Sequence, residues 1–260
     1  MTAKTRTAIT LTVTATPRLA LAPKPAAPKR APSAKPGAVA SWLRKHYAEE
    51  WAAVGGLSAP SKMPSLGYST PAAACGVGSK LRPVKGSICN GCYALKGRYL
   101  FANVQAALAK RLAALGDLEG WESAMVTLLT AAHSRGMCYF RWHDSGDVQS
   151  LAHLHAINRI ARAVPGITFW LPTRESATLA RFRDSGEPKA VNLTIRYSLP
   201  LVDVWTVPPV IAGMPVSGVF AAAPAPQGTH VCPAPQQGGH CGDCRACWDA
   251  DCAVTGYHVH

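Results

Sequence analysis

Cysteine is the residue type whose spacing in this chain points most directly to chemistry. Cys89 and Cys92 flank two residues in the stretch Cys89-Asn90-Gly91-Cys92-Tyr93-Ala94-Leu95-Lys96-Gly97, and Cys75 lies upstream of them. Two cysteines on a tight turn can aim both sulfurs at one metal, and thiolate is the ligand of zinc, copper(I) and iron–sulfur clusters. A set of three thiols is informative in itself. A closed structural zinc site takes four donors, whereas a four-iron cluster held by three thiolates keeps one iron free for a substrate or cofactor.

A second group, Cys232, Cys241, Cys244, Cys247 and Cys252, reads C-x8-C-x2-C-x2-C-x4-C. Its inner run resembles the compact spacing of bacterial ferredoxin ligands, and zinc fits it equally well. Spacing does not decide which four of the five ligate. A mixed arrangement stands beside these: Cys89, Cys92, Cys244 and Cys247 meeting as one four-thiolate zinc site. Cys138, in an apolar run, reads as a buried filler, and His258 and His260 as a solvated tail.

A length of 260 residues with 48% apolar residues suits one large domain with appendages. No apolar run is long enough to span a membrane, and the N-terminus lacks the pattern of a secretion signal, so we expect a cytoplasmic protein without membrane contact. In that reducing compartment, an odd count of nine cysteines argues for metal ligation over full disulfide pairing. Of the net charge of +13, seven positive charges lie in 1–38, where no acid offsets them. Such a tail can hold nucleic acid loosely through counterion release, without reading sequence.

The elements that must position the thiols follow in order. Residues 1–38 are rich in Ala, Pro and Lys and read as a disordered tail, with an alternating run at 9–13 that could add an edge strand. Residues 39–225 form the expected α/β core, and 226–260 a cysteine-rich metal-binding extension. Ser41 is a candidate cap for a short helix that ends at Gly55-Gly56. The stretch 57–99 reads as loop and carries Cys75, Cys89 and Cys92. Two helices, near 101–115 and 119–134, precede an alternation: strand 137–142, helix 151–164, strand 167–171, helix 176–184, strand 191–197, then strands near 202–205 and 216–221. That alternation implies βαβ units and a parallel sheet, either open or a partial (β/α) barrel.

Ligands of such sheets bind at the carboxyl ends of the strands. There the sequence places His143, Asp144, Asp147, Arg174, Glu175 and Arg196 as candidate catalytic or anchoring residues, with Thr173 and Ser198 as cofactor contacts. The arginines suit a carboxylate or phosphate; the acids and the histidine suit proton transfer. Asp147 or Ser150 is equally a cap for the following helix, and Glu175 and Ser176 suit a helix start.

Several stretches together carry a resemblance: Ser61-Lys62-Met63-Pro64, Gly67-Tyr68-Ser69, the 75–99 loop, Trp142-His143-Asp144-Ser145-Gly146-Asp147 and the 241–248 run. They resemble the phage and prophage cysteine-rich gene-product-eighty-eight-like family over roughly 57–252. The Cys-x-x-Cys-Tyr-Ala piece is also similar to phage proteins of radical S-adenosylmethionine type. That second resemblance implies a partial barrel with a [4Fe-4S] cluster on Cys75, Cys89 and Cys92, S-adenosylmethionine on the free iron, and an electron donor. The 232–252 group would then resemble an auxiliary cluster. The sequence departs from that pattern in stretching C-x3-C-x2-C to C-x13-C-x2-C and in lacking a Gly-Gly-Glu strand end.

The expectation is therefore an iron–sulfur enzyme acting on a small anionic or nucleotide-type substrate. Two rivals accompany it. One is a zinc-binding, nucleic-acid-binding protein without catalysis; the other is a divalent-metal hydrolase using His143, Asp144, Asp147 and Glu175.

Overall fold

A computed structural model of the chain describes residues 35–259. The edge strand read at 9–13, and nearly all of the tail, lie outside the described residues. Helix α1 (Pro36–His46) starts ahead of Ser41, because Pro36 suits a first helical turn whose N–H groups need no partner. It is followed by α2 (Ala48–Ala53), β1 (Leu66–Tyr68), α3 (Gly76–Leu81), α4 (Ala102–Ala114) and α5 (Leu118–Ser134). Next come β2 (Tyr139–Trp142), α6 (Leu151–Ala163), β3 (Thr168–Thr173), α7 (Ser176–Asp184) and β4 (Leu193–Val202). The chain closes with β5 (Val216–Phe220), β6 (His230–Val231) and β7 (Val254–His258).

The strands make one open sheet of seven, parallel at every pairing, in the order β1-β2-β3-β4-β5-β7-β6. The first five strands add in sequence order. Right-handed crossovers between neighbours that always step the same way leave the connecting helices on one face. Register and alternation then divide the side chains. Phe140, Phe169 and Leu193 lie in one row, joined by Trp142, Leu171, Ile195 and Tyr197. These belong to the buried core with Trp121, Met125 and Leu128 of α5 and Leu154, Ile157 and Ile160 of α6. Asp117 accepts from Gly120 N at 3.0 Å to cap α5, and Ser150 accepts from His153 N at 3.0 Å to cap α6.

The opposite face carries Arg141, Trp170 and Thr194 in one row and Ser198, Ser217 and Thr255 in another. The C-terminal segment packs there. Trp248, 3% exposed, meets Trp170 and Tyr139 edge-on at ring separations of 5.2 and 5.6 Å. Its Nε1 donates to Phe140 O at 2.9 Å, and its own carbonyl accepts from Thr194 Oγ1 at 2.7 Å. Residues 226–260, read as an extension, thus also supply β6 and β7 to the sheet.

Three local expectations need correction. The strand expected at 202–205 is absent as a separate element: β4 runs on to Val202, and Asp203, at φ 59°, turns the chain while accepting from Ala221 N at 2.8 Å. Residues 66–68, read as loop, form β1, which their pairing with β2 stabilises although three residues carry little local signal. Cys138 is exposed and not a buried filler, because β2 starts one residue later. Among the described residues no helix is long and apolar enough to cross a membrane.

Candidate metal centre at the strand ends

The loop bearing Cys75, Cys89 and Cys92 is stitched to the carboxyl ends of four strands. Beyond β1, Thr70 N donates to Ser145 O at 3.1 Å and Ser145 Oγ donates to Thr70 O at 2.9 Å, joining the exits of β1 and β2. Beyond β3, Glu175 Oε1 accepts from Val77 N at 2.8 Å, which anchors the start of α3, where Cys75 is the N-terminal flanking residue. The end of β4 pairs with the loop itself: Ile88 N donates to Pro200 O and Val202 N to Gly86 O, both at 2.9 Å. Tyr93 donates to the carbonyl of Asp144, and Tyr99 OH to Asp144 Oδ2 at 3.0 Å.

Gly78 shows how closely the thiols gather. A Cβ at that position would stand 2.9 Å from Cys75 Cβ, 3.5 Å from Cys75 Sγ and 3.6 Å from Cys89 Sγ, so both sulfurs flank one point that only glycine leaves open. Withdrawal from water pushes the Cys75 thiol up to about 12, with Asp147, Cys92 and Cys89 adding in that order. Cys89 is raised by the same withdrawal, against the pull of Arg174. The three thiols therefore feel one another, with Arg174 and Arg82 as nearby cations.

The other rim residues take distinct parts. Asp147 is 5% exposed; its Oδ1 accepts from Val148 N at 2.8 Å and its Oδ2 from Arg174 N at 2.9 Å. Burial pushes its carboxyl up to about 6 against the pull of Thr173 and those N–H groups. Thr173 Oγ1 also accepts from Glu175 N at 3.1 Å. Among the described residues, Arg174 Nε has no hydrogen-bond partner. His143, at φ 51° and 3% exposed, turns its ring edge-on to His153 at 5.6 Å, and burial drives its pKa well below the usual histidine value.

Arg196 and Ser198 are not brought to this rim. Arg196 is fully buried on the opposite face of the sheet, donating to Val216 O at 3.0 Å, Ala246 O at 3.1 Å and Asp249 O at 3.0 Å. Ser198 Oγ lies 3.3 Å from Ser217 Oγ in the row beside it. Ser150, and not Asp147, caps α6, and Glu175 binds across to the cysteine loop instead of capping α7.

The second cysteine group lies over that opposite face. Cys241 responds to Cys232 and Cys244, and Cys247 Sγ lies 3.1 Å from Tyr257 OH with Arg196 and Arg141 near. Withdrawal from water raises the Cys252 thiol, against the pull of Arg196 and with Asp249 and Cys244 adding. The groups that act on Cys89 (Arg174, Cys92, Asp147 and Arg82) and on Cys247 (Tyr257, Arg196, Arg141 and Cys232) do not overlap, which speaks against one mixed site of Cys89, Cys92, Cys244 and Cys247. His230, which the sequence reading passed over, places Nε2 at 3.2 Å from Cys244 Sγ. The His-x-Cys pair at 230 and 232 was the available signal.

Among the described residues, no three His, Cys, Asp or Glu side chains stand at the spacing of ligands to one metal ion. His143, Asp144 and Asp147 turn to separate partners: His143 faces His153, Asp144 accepts from Tyr99, and Asp147 bridges backbone N–H groups. For Cys75, Cys89 and Cys92 the donor chemistry is the test that bears on a cluster. Thiolates of a cluster sit on different irons and so stand wider apart than donors that share one zinc at about 2.3 Å each. Three neighbouring thiols with two guanidinium cations beside them fit an anionic iron–sulfur unit.

No curated protein and no solved structure matches this chain. Apart from Cys252, the motifs assembled at the strand ends and over the opposite face fall within 41–250, the residues matched by the family model described as Gene product 88, and the chain belongs to that family.

Proposed function

We propose that this protein is an iron–sulfur enzyme, similar in its chemistry to radical S-adenosylmethionine proteins, acting on a small anionic or nucleotide-type substrate. The observation that carries the reading is the gathering of Cys75 and Cys89 sulfurs about Gly78, with Cys92 in electrostatic reach, at the carboxyl ends of a parallel sheet. A four-iron cluster there would supply one-electron chemistry and one iron open to a ligand.

The chain's own residues divide the remaining work. Arg174, whose Nε is unpartnered, suits the carboxylate or phosphate of a substrate or of S-adenosylmethionine. Asp147, with its carboxyl near 6, sits where a proton can be held or released near neutrality. Glu175 and Asp144 hold the loop to the strands, through Val77 in one case and Tyr93 and Tyr99 in the other.

The test is anaerobic purification with iron and sulfide analysis and visible spectroscopy. The expected result is brown protein with about four irons and matching sulfide at the rim site, lost when Cys75, Cys89 or Cys92 becomes Ser. Colourless protein that fails to take up iron and sulfide on anaerobic reconstitution, while folded, ends the proposal. Cleavage of S-adenosylmethionine under a low-potential reductant then tests the nucleoside arm.

A further inference from the structure

The segment 221–247 follows β5 and crosses to the edge of the sheet without a single buried residue. Apolar burial therefore does not hold it. Short stretches without a core are fixed by disulfides or metals, and all nine cysteines are free thiols. Its only strand, β6, has two exposed residues paired at the outer edge of β7.

Four donors converge on this segment from two arms. His230 and Cys232 are two residues apart along the edge strand, whose ladder continues through Cys232 N to Gly256 O at 2.9 Å, so alternation sends both side chains to one side. Cys241 and Cys244 form the other arm, a turn closed by Cys244 N to Cys241 O at 3.0 Å with Gly242 at φ 51°. Arg245 Nη1 braces that turn, donating to Gly242 O and Cys244 O, both at 2.7 Å. Cys241 N is held by Lys62 O at 3.1 Å, and the arms meet where His230 Nε2 approaches Cys244 Sγ to 3.2 Å. Withdrawal from water raises the thiols of Cys241 and Cys232, with Cys232 and Cys244 adding at Cys241 and Cys244 adding at Cys232. The remaining two thiols have closer partners of their own, Cys247 Sγ lying 3.1 Å from Tyr257 OH and Cys252 Sγ donating to Val254 O at 3.7 Å, although Cys232 also adds to the raised Cys247 and Cys244 to the raised Cys252.

The geometry points to a tetrahedral zinc site formed by His230, Cys232, Cys241 and Cys244, which staples 221–247 to the edge of the sheet. Three thiolates and one imidazole are a zinc donor set, and the choice excludes Cys247 and Cys252. Among the described residues no three of these donors stand at ligand spacing, so zinc binding here requires the two arms to close on the ion. The segment therefore tightens on binding, as in small metal-stapled folds. The site is independent of the rim cluster, so either reading can fail alone.

The test uses the full chain with Cys75, Cys89 and Cys92 replaced by Ser, so that iron at the rim does not enter. The protein is stripped and titrated with zinc alone, and with cobalt(II) as a visible probe of tetrahedral thiolate coordination. One equivalent of zinc is expected, together with protection of 221–247 from proteolysis. His230→Ala should weaken binding by more than the ~10–100-fold typical of losing an outer-shell partner. His230→Cys should restore it, and Cys247→Ser and Cys252→Ser should bind as the parent does. The proposal is overturned if His230→Ala binds zinc unchanged or if Cys247→Ser or Cys252→Ser abolishes binding. It is also overturned if iron with sulfide, and not zinc, occupies these thiols in the parent. Cys244→Ser should lose zinc binding as His230→Ala does; if it fails to fold, the His230 pair of variants decides.

Discussion

Replacing Trp248 by Ala probes whether the C-terminal segment is part of the folded core. The indole is 3% exposed, packed edge-on against Tyr139 and Trp170, and donates to Phe140 O. A buried Trp withdraws ~150–250 Å² from water, worth about 4–6 kcal/mol at ~25 cal/mol per Å², an upper estimate because denatured chains are partly compact. Large-to-small aromatic substitutions in cores cost about 3–5 kcal/mol, and we expect Trp248→Ala in that range. Trp248→Phe keeps most of the area but leaves the Phe140 carbonyl without its donor, for a loss of about 1–2 kcal/mol. Urea unfolding followed by circular dichroism measures both, with an unchanged m-value showing that the denatured state is unaltered. A loss below about 1 kcal/mol for the Ala variant, well under the usual penalty for emptying a core, would mean that 246–249 does not pack on the sheet and would undo the assignment of that face.

Gly78→Ala places a methyl 2.9 Å from Cys75 Cβ and between the Cys75 and Cys89 sulfurs; we expect iron content to fall at least severalfold while circular dichroism stays unchanged. Glu175→Ala removes the acceptor of Val77 N, with a stability loss of about 1 kcal/mol and faster proteolysis within 76–99, whereas Glu175→Gln keeps an acceptor oxygen and should behave as the parent. His153 is 1% exposed and burial lowers its pKa to about 3. The unfolded chain takes up that proton near pH 6.5 and the folded chain does not, so this stability is complete above 6.5 and is lost at about 1.4 kcal/mol per pH unit as pH falls toward 3. Unfolding free energies across that window should be flatter for His153→Leu than for the parent; parallel slopes would show that the imidazole is charged when folded. Arg196→Met removes the guanidinium's hydrogen bonds to Val216 O, Ala246 O and Asp249 O from a fully buried position, and we expect a loss of about 3 kcal/mol in the same urea assay.

Much of this was legible in the chain because it is local. Short apolar runs at 139–142 and 168–173, capping by Ser150, and helical periodicity at 102–114 and 118–134 each express a preference of a few neighbouring residues. The grouping of Cys75, Cys89 and Cys92 followed from their types and spacing. The parallel sheet followed from strands alternating with helices, and the carboxyl-end position of Asp147, Arg174 and Glu175 followed from that sheet.

What tertiary structure alone decided was the company each residue keeps. Arg196 and Arg174 look alike in sequence, yet strand alternation puts the first under Ala246 and Asp249 and leaves the second at the rim. Glu175 reads as a helix-start residue, but its carboxylate reaches Val77, far away in the chain. Strands β1 and β6 are too short for their own pattern to announce them, and they exist through pairing with neighbours. Composition and period are properties of adjacent residues. The division of thiols between rim and sheet face depends on how a long chain returns to itself, and no local spacing encodes that.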